Sequence, residues 1–329
     1  MEPVAASTAY LLISHGSRDP RPQEAMNHLA ELVRQRLSKP SQAEFEGGES
    51  DSLRNGRSQL SSLHATESLH VPAAYEAAQG GSTVASLLSS NQKTWILSRP
   101  QTNLHKARKP FPERVPQAAD SIVSGAGVIV GTACLELSVL PLREQIYEFG
   151  CRLIAAGIGE LKLLPVFLMA GVHVMEDIPA EVEAARQRLG NDIKLTVCEH
   201  LGSHPSLLTV LEKRLASVPA ESAILVAHGS RRLKGNKGVE KLARLLNTQV
   251  AYWAVPPDIE TQVIELMQQG CQKLTILPYF LFAGGITDAI AHRTEELAER
   301  FPKVQFRLLP TLGATAEIAK ISAKIIQSV

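Results

Sequence analysis

The stretch Leu11-Leu12-Ile13-Ser14-His15-Gly16-Ser17-Arg18 decides the fold. A short apolar run ends abruptly in a histidine and a glycine, and a helical pattern follows, with Met26, Leu29 and Val33 on one face. A continuous apolar run of this kind is buried on both faces, which predicts a strand of a parallel sheet covered by helices. In open α/β sheets the ligand crevice lies at the carboxyl ends of the strands, so His15 stands where such folds place their chemistry.

The phrase returns as Ile224-Leu225-Val226-Ala227-His228-Gly229-Ser230-Arg231. Leu277-Pro278-Tyr279-Phe280-Leu281-Phe282-Ala283-Gly284 repeats Leu164-Pro165-Val166-Phe167-Leu168-Met169-Ala170-Gly171, and Leu312-Gly313-Ala314 repeats Leu201-Gly202-Ser203. The chain is therefore built twice. Strands are expected near residues 10–14, 127–131, 161–168 and 193–198, then 223–227, 249–253, 273–279 and 304–309, with amphipathic helices between them. That order, with right-handed crossovers, gives an α/β fold: two similar lobes, each a four-stranded parallel sheet with helices on both faces. The expected lobes are residues 1–215 and 216–329.

The first copy carries an insertion at about 41–124, rich in Ser, Gln, Ala and Gly and weakly periodic. Such a composition lacks the apolar surface that offsets ordering entropy, so flexibility is expected there. Its His64, His70 and His105 match no metal-binding spacing and are expected to be solvated. It interrupts a helix-to-strand connection, which places its ends at the rim away from His15.

The bulk numbers narrow the function. With 329 residues, 44% of them hydrophobic, and a net charge of +1, the chain has room for two ordinary domains and no excess charge for a nucleic-acid partner. Cys134, Cys151, Cys198 and Cys271 are scattered singly, which fits reduced thiols in a cytosol better than disulfides or structural zinc. No apolar run is long enough for a signal peptide or a membrane span, so a cytoplasmic protein without a membrane partner is expected.

The two copies differ at the rim. His15 matches His228, but His173 falls on Ile286, His204 falls opposite Thr315, and Glu136 has no acidic counterpart in Tyr252-Trp253-Ala254-Val255-Pro256. The first copy thus places His15, Glu136, His173 and His204 at four strand ends. Neutral imidazole suits borderline divalent metals, carboxylate is an acceptable harder partner, and imidazole also carries protons near neutrality. A site for a metal, for protons, or for both is expected.

Ser14-His15-Gly16-Ser17-Arg18, Gly131-Thr132-Ala133 with Leu135-Glu136, Phe167-Leu168 with Ala170-Gly171 and His173, and Leu201-Gly202 with His204-Pro205 resemble the sirohydrochlorin chelatase family of the CbiX/SirB type, in its long two-repeat form. The resemblance covers the chain apart from the insertion. It implies a class II chelatase-like fold with the active-site cleft between the lobes. The activity implied is a lyase-type chelation, insertion of cobalt(II) or ferrous iron into sirohydrochlorin on the way to cobalamin or sirohaem. The metal is then a substrate, and no organic cofactor is expected. By this resemblance His15 and His173 hold the metal, Glu136 or a freed histidine accepts pyrrole protons, and Arg18, Arg231 and His204 meet the tetrapyrrole. Arg21, Arg232 and Lys234 are further candidates for its carboxylates, against the plainer reading of a solvated basic loop.

Two other readings stay open at this level: a metal or tetrapyrrole carrier that does not turn over, and a phosphohistidine nucleophile at His15. The last usually has an arginine directly before the histidine, where Ser14 stands here. The sequence leaves the metal, the oxidation state of the tetrapyrrole and the oligomeric state, monomer or homo-oligomer, undecided.

Overall fold

Leu11, Leu12 and Ile13 are all buried, and they divide between two cores. Leu12 packs with the first helix in a central cluster, while Leu11 and Ile13 pack into an outer one. Each such burial contributes about 1.5–3 kcal/mol. The structure is a computed structural model that describes residues 8–38, 123–125 (as backbone), 127–232 and 234–329. Nearly all of the insertion, with His64, His70 and His105, lies outside the described residues.

In the first copy the elements are β1 (Thr8–Ser14), α1 (Pro20–Ser38), β2 (Val123–Gly125), β3 (Val128–Cys134), α2 (Leu142–Ala155), β4 (Glu160–Pro165), α3 (Ile178–Leu189), β5 (Lys194–Val197) and α4 (Ser206–Ala216). The second has β6 (Ser222–Ala227), α5 (Lys237–Leu245), β7 (Gln249–Tyr252), α6 (Ile259–Gln268), β8 (Lys273–Pro278), α7 (Gly285–Arg300), β9 (Gln305–Leu308) and α8 (Ala316–Gln327). The sheet orders are β2-β3-β1-β4-β5 and β7-β6-β8-β9. All pairs are parallel except β2 with β3, so the expected four-stranded sheet of the first copy gains a short antiparallel edge strand at the end of the insertion.

The central core joins both copies. Met26, Leu29 and Val33 of α1, Leu207 and Leu211 of α4, Val239 and Ala243 of α5, and Ile318, Ile321 and Ile325 of α8 fill it between the two sheets. Helices α2 and α3 cover the outer face of one sheet, and α6 and α7 that of the other. Polar contacts reinforce the junction: the half-buried Arg214 of α4 donates to the carbonyls of Pro310, Thr311 and Leu312, and the Tyr279 hydroxyl donates to the Leu168 carbonyl. Among the described residues no helix is long and apolar enough to cross a membrane.

Candidate metal centre

Three adjacent strands deliver three donors. β1 lies between β3 and β4, with Ser14 opposite Cys134 and Ile13 opposite Pro165. Pairing continues past the strand ends: the Leu135 amide donates to the Ser14 carbonyl and the Glu136 amide to the His15 carbonyl, both at 2.9 Å. This stitching requires Gly16. Its φ is +99°, and a Cβ there would lie 1.9 Å from the Glu136 carbonyl oxygen, forcing the two loops apart. On the other side of β1 the Val166 amide donates to the Ile13 carbonyl at 2.8 Å. The chain then passes Phe167 and enters a π turn, His173–Asp177, ahead of α3.

The ligand atoms of His15, Glu136 and His173 all lie within 4.8 Å of one another. His15 Nε2 is 3.9 Å from Glu136 Oε2, and the two imidazoles meet edge to face with centroids 4.8 Å apart. The Phe167 ring stands 6.3 Å from each imidazole centroid and forms an apolar wall beside both. Asp177 Oδ2 lies 2.7 Å from His173 Nδ1. That contact assigns the ring proton to Nδ1 and leaves Nε2 free to ligate, the carboxylate–imidazole arrangement found behind metal-binding histidines.

The cluster is loose and open. Two donors on one tetrahedral ion, each about 2.0–2.1 Å from it, stand roughly 3.4 Å apart. The wider spacing here means a metal must draw the side chains inward. His15 and Glu136 are 51% and 50% exposed, so further ligands reach the ion from solvent. Three donors with open positions are the mark of a site that exchanges its ion rather than burying it. Neither Cys134 nor Cys198 belongs to this group, and burial pushes both thiol pKa values up, that of Cys198 to about 11.

The other expected site residues divide. His204 follows β5, two strands from β1, and is not part of the His15, Glu136 and His173 group. Its Nδ1 accepts from the Ser206 amide at 3.2 Å at the start of α4, whereas Thr315 at the matching position is the N-cap of α8. Arg18 and Arg231 are exposed on the loops after β1 and β6. Arg21 is already engaged by Asp19 and by Asp288 of the second copy.

Phe167 and Asp177 are the contributors that residue spacing alone did not single out. A clue to Asp177 is present in the repeat. The Met175 amide donates to the Gly171 carbonyl as the Asp288 amide does to Gly284, which keeps His173 on Ile286. Beyond that point Ile178, Val182 and Ala185 are buried in the roles of Ile290, Thr294 and Leu297. Ile178 is seven residues past Gly171, whereas Ile290 is six past Gly284. The first copy thus holds one extra residue, which the π turn accommodates; such turns gather at functional sites.

Residues 9–76, 108–218 and 222–329 match the CbiX family model. The chain belongs to the CbiX family. Among its relatives is the sirohydrochlorin cobaltochelatase of Priestia megaterium, 24% identical over 204 residues that make up 57% of this chain and 65% of that protein, just under two thirds. Another is the sirohydrochlorin ferrochelatase of Bacillus subtilis, 23% identical over 205 residues, 58% of this chain and 78% of that one. The solved structure of SirB from Bacillus subtilis with Fe3+ superposes with a TM-score of 0.59 at 14% identity, covering 98% of this chain and 95% of that one. SirB from Bacillus subtilis subspecies spizizenii in complex with cobalt gives 0.54 at 14% identity, covering 98% and 94%. The likeness is one of fold, two parallel sheets covered by helices.

Proposed function

We propose that this chain is a sirohydrochlorin chelatase that inserts a divalent first-row metal, cobalt(II) or ferrous iron, into the macrocycle, as a step toward cobalamin or sirohaem. The observation that carries the reading is the open group of His15, Glu136 and His173 on the rim of the first sheet. The names of its family relatives support it. Free cysteines suit a reducing cytoplasm, where we place the reaction.

Chelation exchanges two pyrrole N–H protons for one dication. The enzyme must hold the ion loosely, shed its waters and take up those protons. His15 and His173 hold the ion by their ring nitrogens, with His173 oriented by Asp177. Glu136 reaches His15 at 3.9 Å and accepts a proton as the ion departs. The test is a steady-state assay of purified protein with sirohydrochlorin and each divalent metal in turn. Metallation far beyond one equivalent per protein is expected; a stop at one equivalent would identify a carrier instead.

A further inference from the structure

Arg21 has its charge cancelled within the protein: its guanidinium lies 2.5 Å from Asp19 and 2.6 Å from Asp288. The equivalent loop of the second copy is different. The register that sets His15 on His228 continues through the buried pairs Met26 with Val239 and Ala30 with Ala243. It places Asp19 on Arg232 and Arg21 on Lys234. The backbone match of Met175 with Asp288 places a methionine where the second acid would stand. Both neutralising carboxylates are therefore missing. Arg231, Arg232, Lys234 and Lys237 are all exposed, and among the described residues no side chain of the four forms an ion pair or hydrogen bond.

The loop is built, however. The Ser230 amide donates to Asn236 Oδ1 at 2.7 Å, Asn236 Nδ2 donates to the Ser230 carbonyl at 3.1 Å, and the Arg232 amide donates to Ser230 Oγ at 3.1 Å. Gly235 closes it; a Cβ there would lie 2.4 Å from Ser230 Oγ. Cations held on a fixed loop lose less freedom when they bind. The helix that the loop leads into packs beside the segment that carries His173. A Cβ on Gly238, beside Lys237, would lie 3.1 Å from Met169 Cε, and Met169 precedes His173 by four residues, a span of at most about 14 Å.

We propose that this loop is the substrate-holding half of the site: Arg231, Arg232, Lys234 and Lys237 bind peripheral carboxylates of the tetrapyrrole while the first copy presents the metal. The inference rests on the chelatase reading above and gives the second copy a task that its lost donors do not require. Repulsion among four uncompensated cations, felt within about 8–10 Å, favours a polycarboxylate over a neutral macrocycle.

The experiment is a direct titration of sirohydrochlorin, without metal, into the full-length protein, followed by steady-state kinetics. The triple variant Arg231→Ala, Arg232→Ala, Lys234→Ala should weaken binding about ten- to hundredfold and raise KM for the tetrapyrrole alike, since exposed pairs add modest increments. It should leave cobalt(II) affinity and kcat at saturation unchanged. The charge-keeping variant Arg231→Lys, Arg232→Lys should retain most of the binding, and Lys303→Ala with Lys320→Ala, an exposed control for lost charge, should not weaken it. A triple variant that binds sirohydrochlorin as the parent does, or a control that weakens equally, overturns the proposal. A parent protein that neither binds nor metallates sirohydrochlorin removes the chelatase reading itself.

Discussion

At the end of β1 the His15 carbonyl accepts from the Glu136 amide; at the end of β6 the His228 carbonyl accepts from the Ala254 amide. The two rims share a backbone and differ in what hangs from it. Where the first copy has His15, Glu136 and His173, the second has His228, Ala254 and Ile286. The strand ends and stitched loops are kept because they close the sheet, whatever chemistry they bear. The rim side chains do not take part in that closure, and the extra residue of the π turn has no counterpart in the regular start of α7. The candidate metal centre is thus a small set of side chains on a repeated scaffold.

The strongest test of this contrast removes donors from the first copy. His15→Ala and His173→Ala should each lower metal insertion by more than about a hundredfold, since loss of a ligand exceeds the 10–100-fold typical of its hydrogen-bonding partners. Both side chains are a third or more exposed, so the thermal midpoint should barely move. Steady-state rates and a melting curve on each variant decide it. Near-parental turnover in either variant would detach that histidine from the centre.

Asp177→Asn comes next. It keeps the shape but removes the charge that faces His173 Nδ1 at 2.7 Å. A loss of about 10–100-fold in metal affinity or rate is expected, smaller than that of the ligand itself. Measuring cobalt(II) affinity in this variant separates an orienting carboxylate from a merely helix-capping one, which would change stability and leave the metal alone.

How much of this was legible in the sequence follows from the range of each interaction. The strands were readable because β1, β4, β6 and β8 are buried on both faces and leave continuous apolar runs. The duplication was readable because both copies use the same loop-closing glycines. The placement of His15, Glu136 and His173 at strand ends was legible, and the structure brings their ligand atoms within 4.8 Å of one another. β2 escaped because three residues carry no periodicity. Asp177 carries no signal in residue spacing, since its aim depends on a π turn defined by a backbone hydrogen bond rather than by side-chain pattern. His204 was placed on the correct rim, but rim position does not reveal that its Nδ1 is turned to the Ser206 amide. Arg21 read as free because its second partner, Asp288, lies 267 residues away.

A smaller effect is expected in the second copy. His228→Ala should change metal insertion less than about threefold and stability within about 0.5 kcal/mol, because the His228 side chain is exposed and its imidazole has no hydrogen-bond partner among the described residues. Comparing its rate with that of His15→Ala measures the asymmetry directly. Equal inactivation would mean that both copies supply donors to one site.

The smallest effect should come from making the first copy resemble the second where the insertion interrupts it. In the second copy α5 ends at Leu245 and β7 starts at Gln249, so residues 246–248 suffice to turn from helix to strand. The corresponding turn in the first copy runs from α1, ending at Ser38, to β3, starting at Val128. It enters β3 at its amino end, whereas Glu136 leaves the carboxyl end, so the two lie at opposite rims of the sheet. Closure entropy grows only logarithmically with loop length, and a long insertion is therefore cheap to carry and cheap to remove. Replacing residues 42–113 with a short Gly/Ser linker should leave the melting temperature within a few degrees and the rate of metal insertion within about twofold. A shortened protein that melts normally but no longer metallates sirohydrochlorin would make the inserted segment part of the site, and the first copy would then differ from the second by more than its rim.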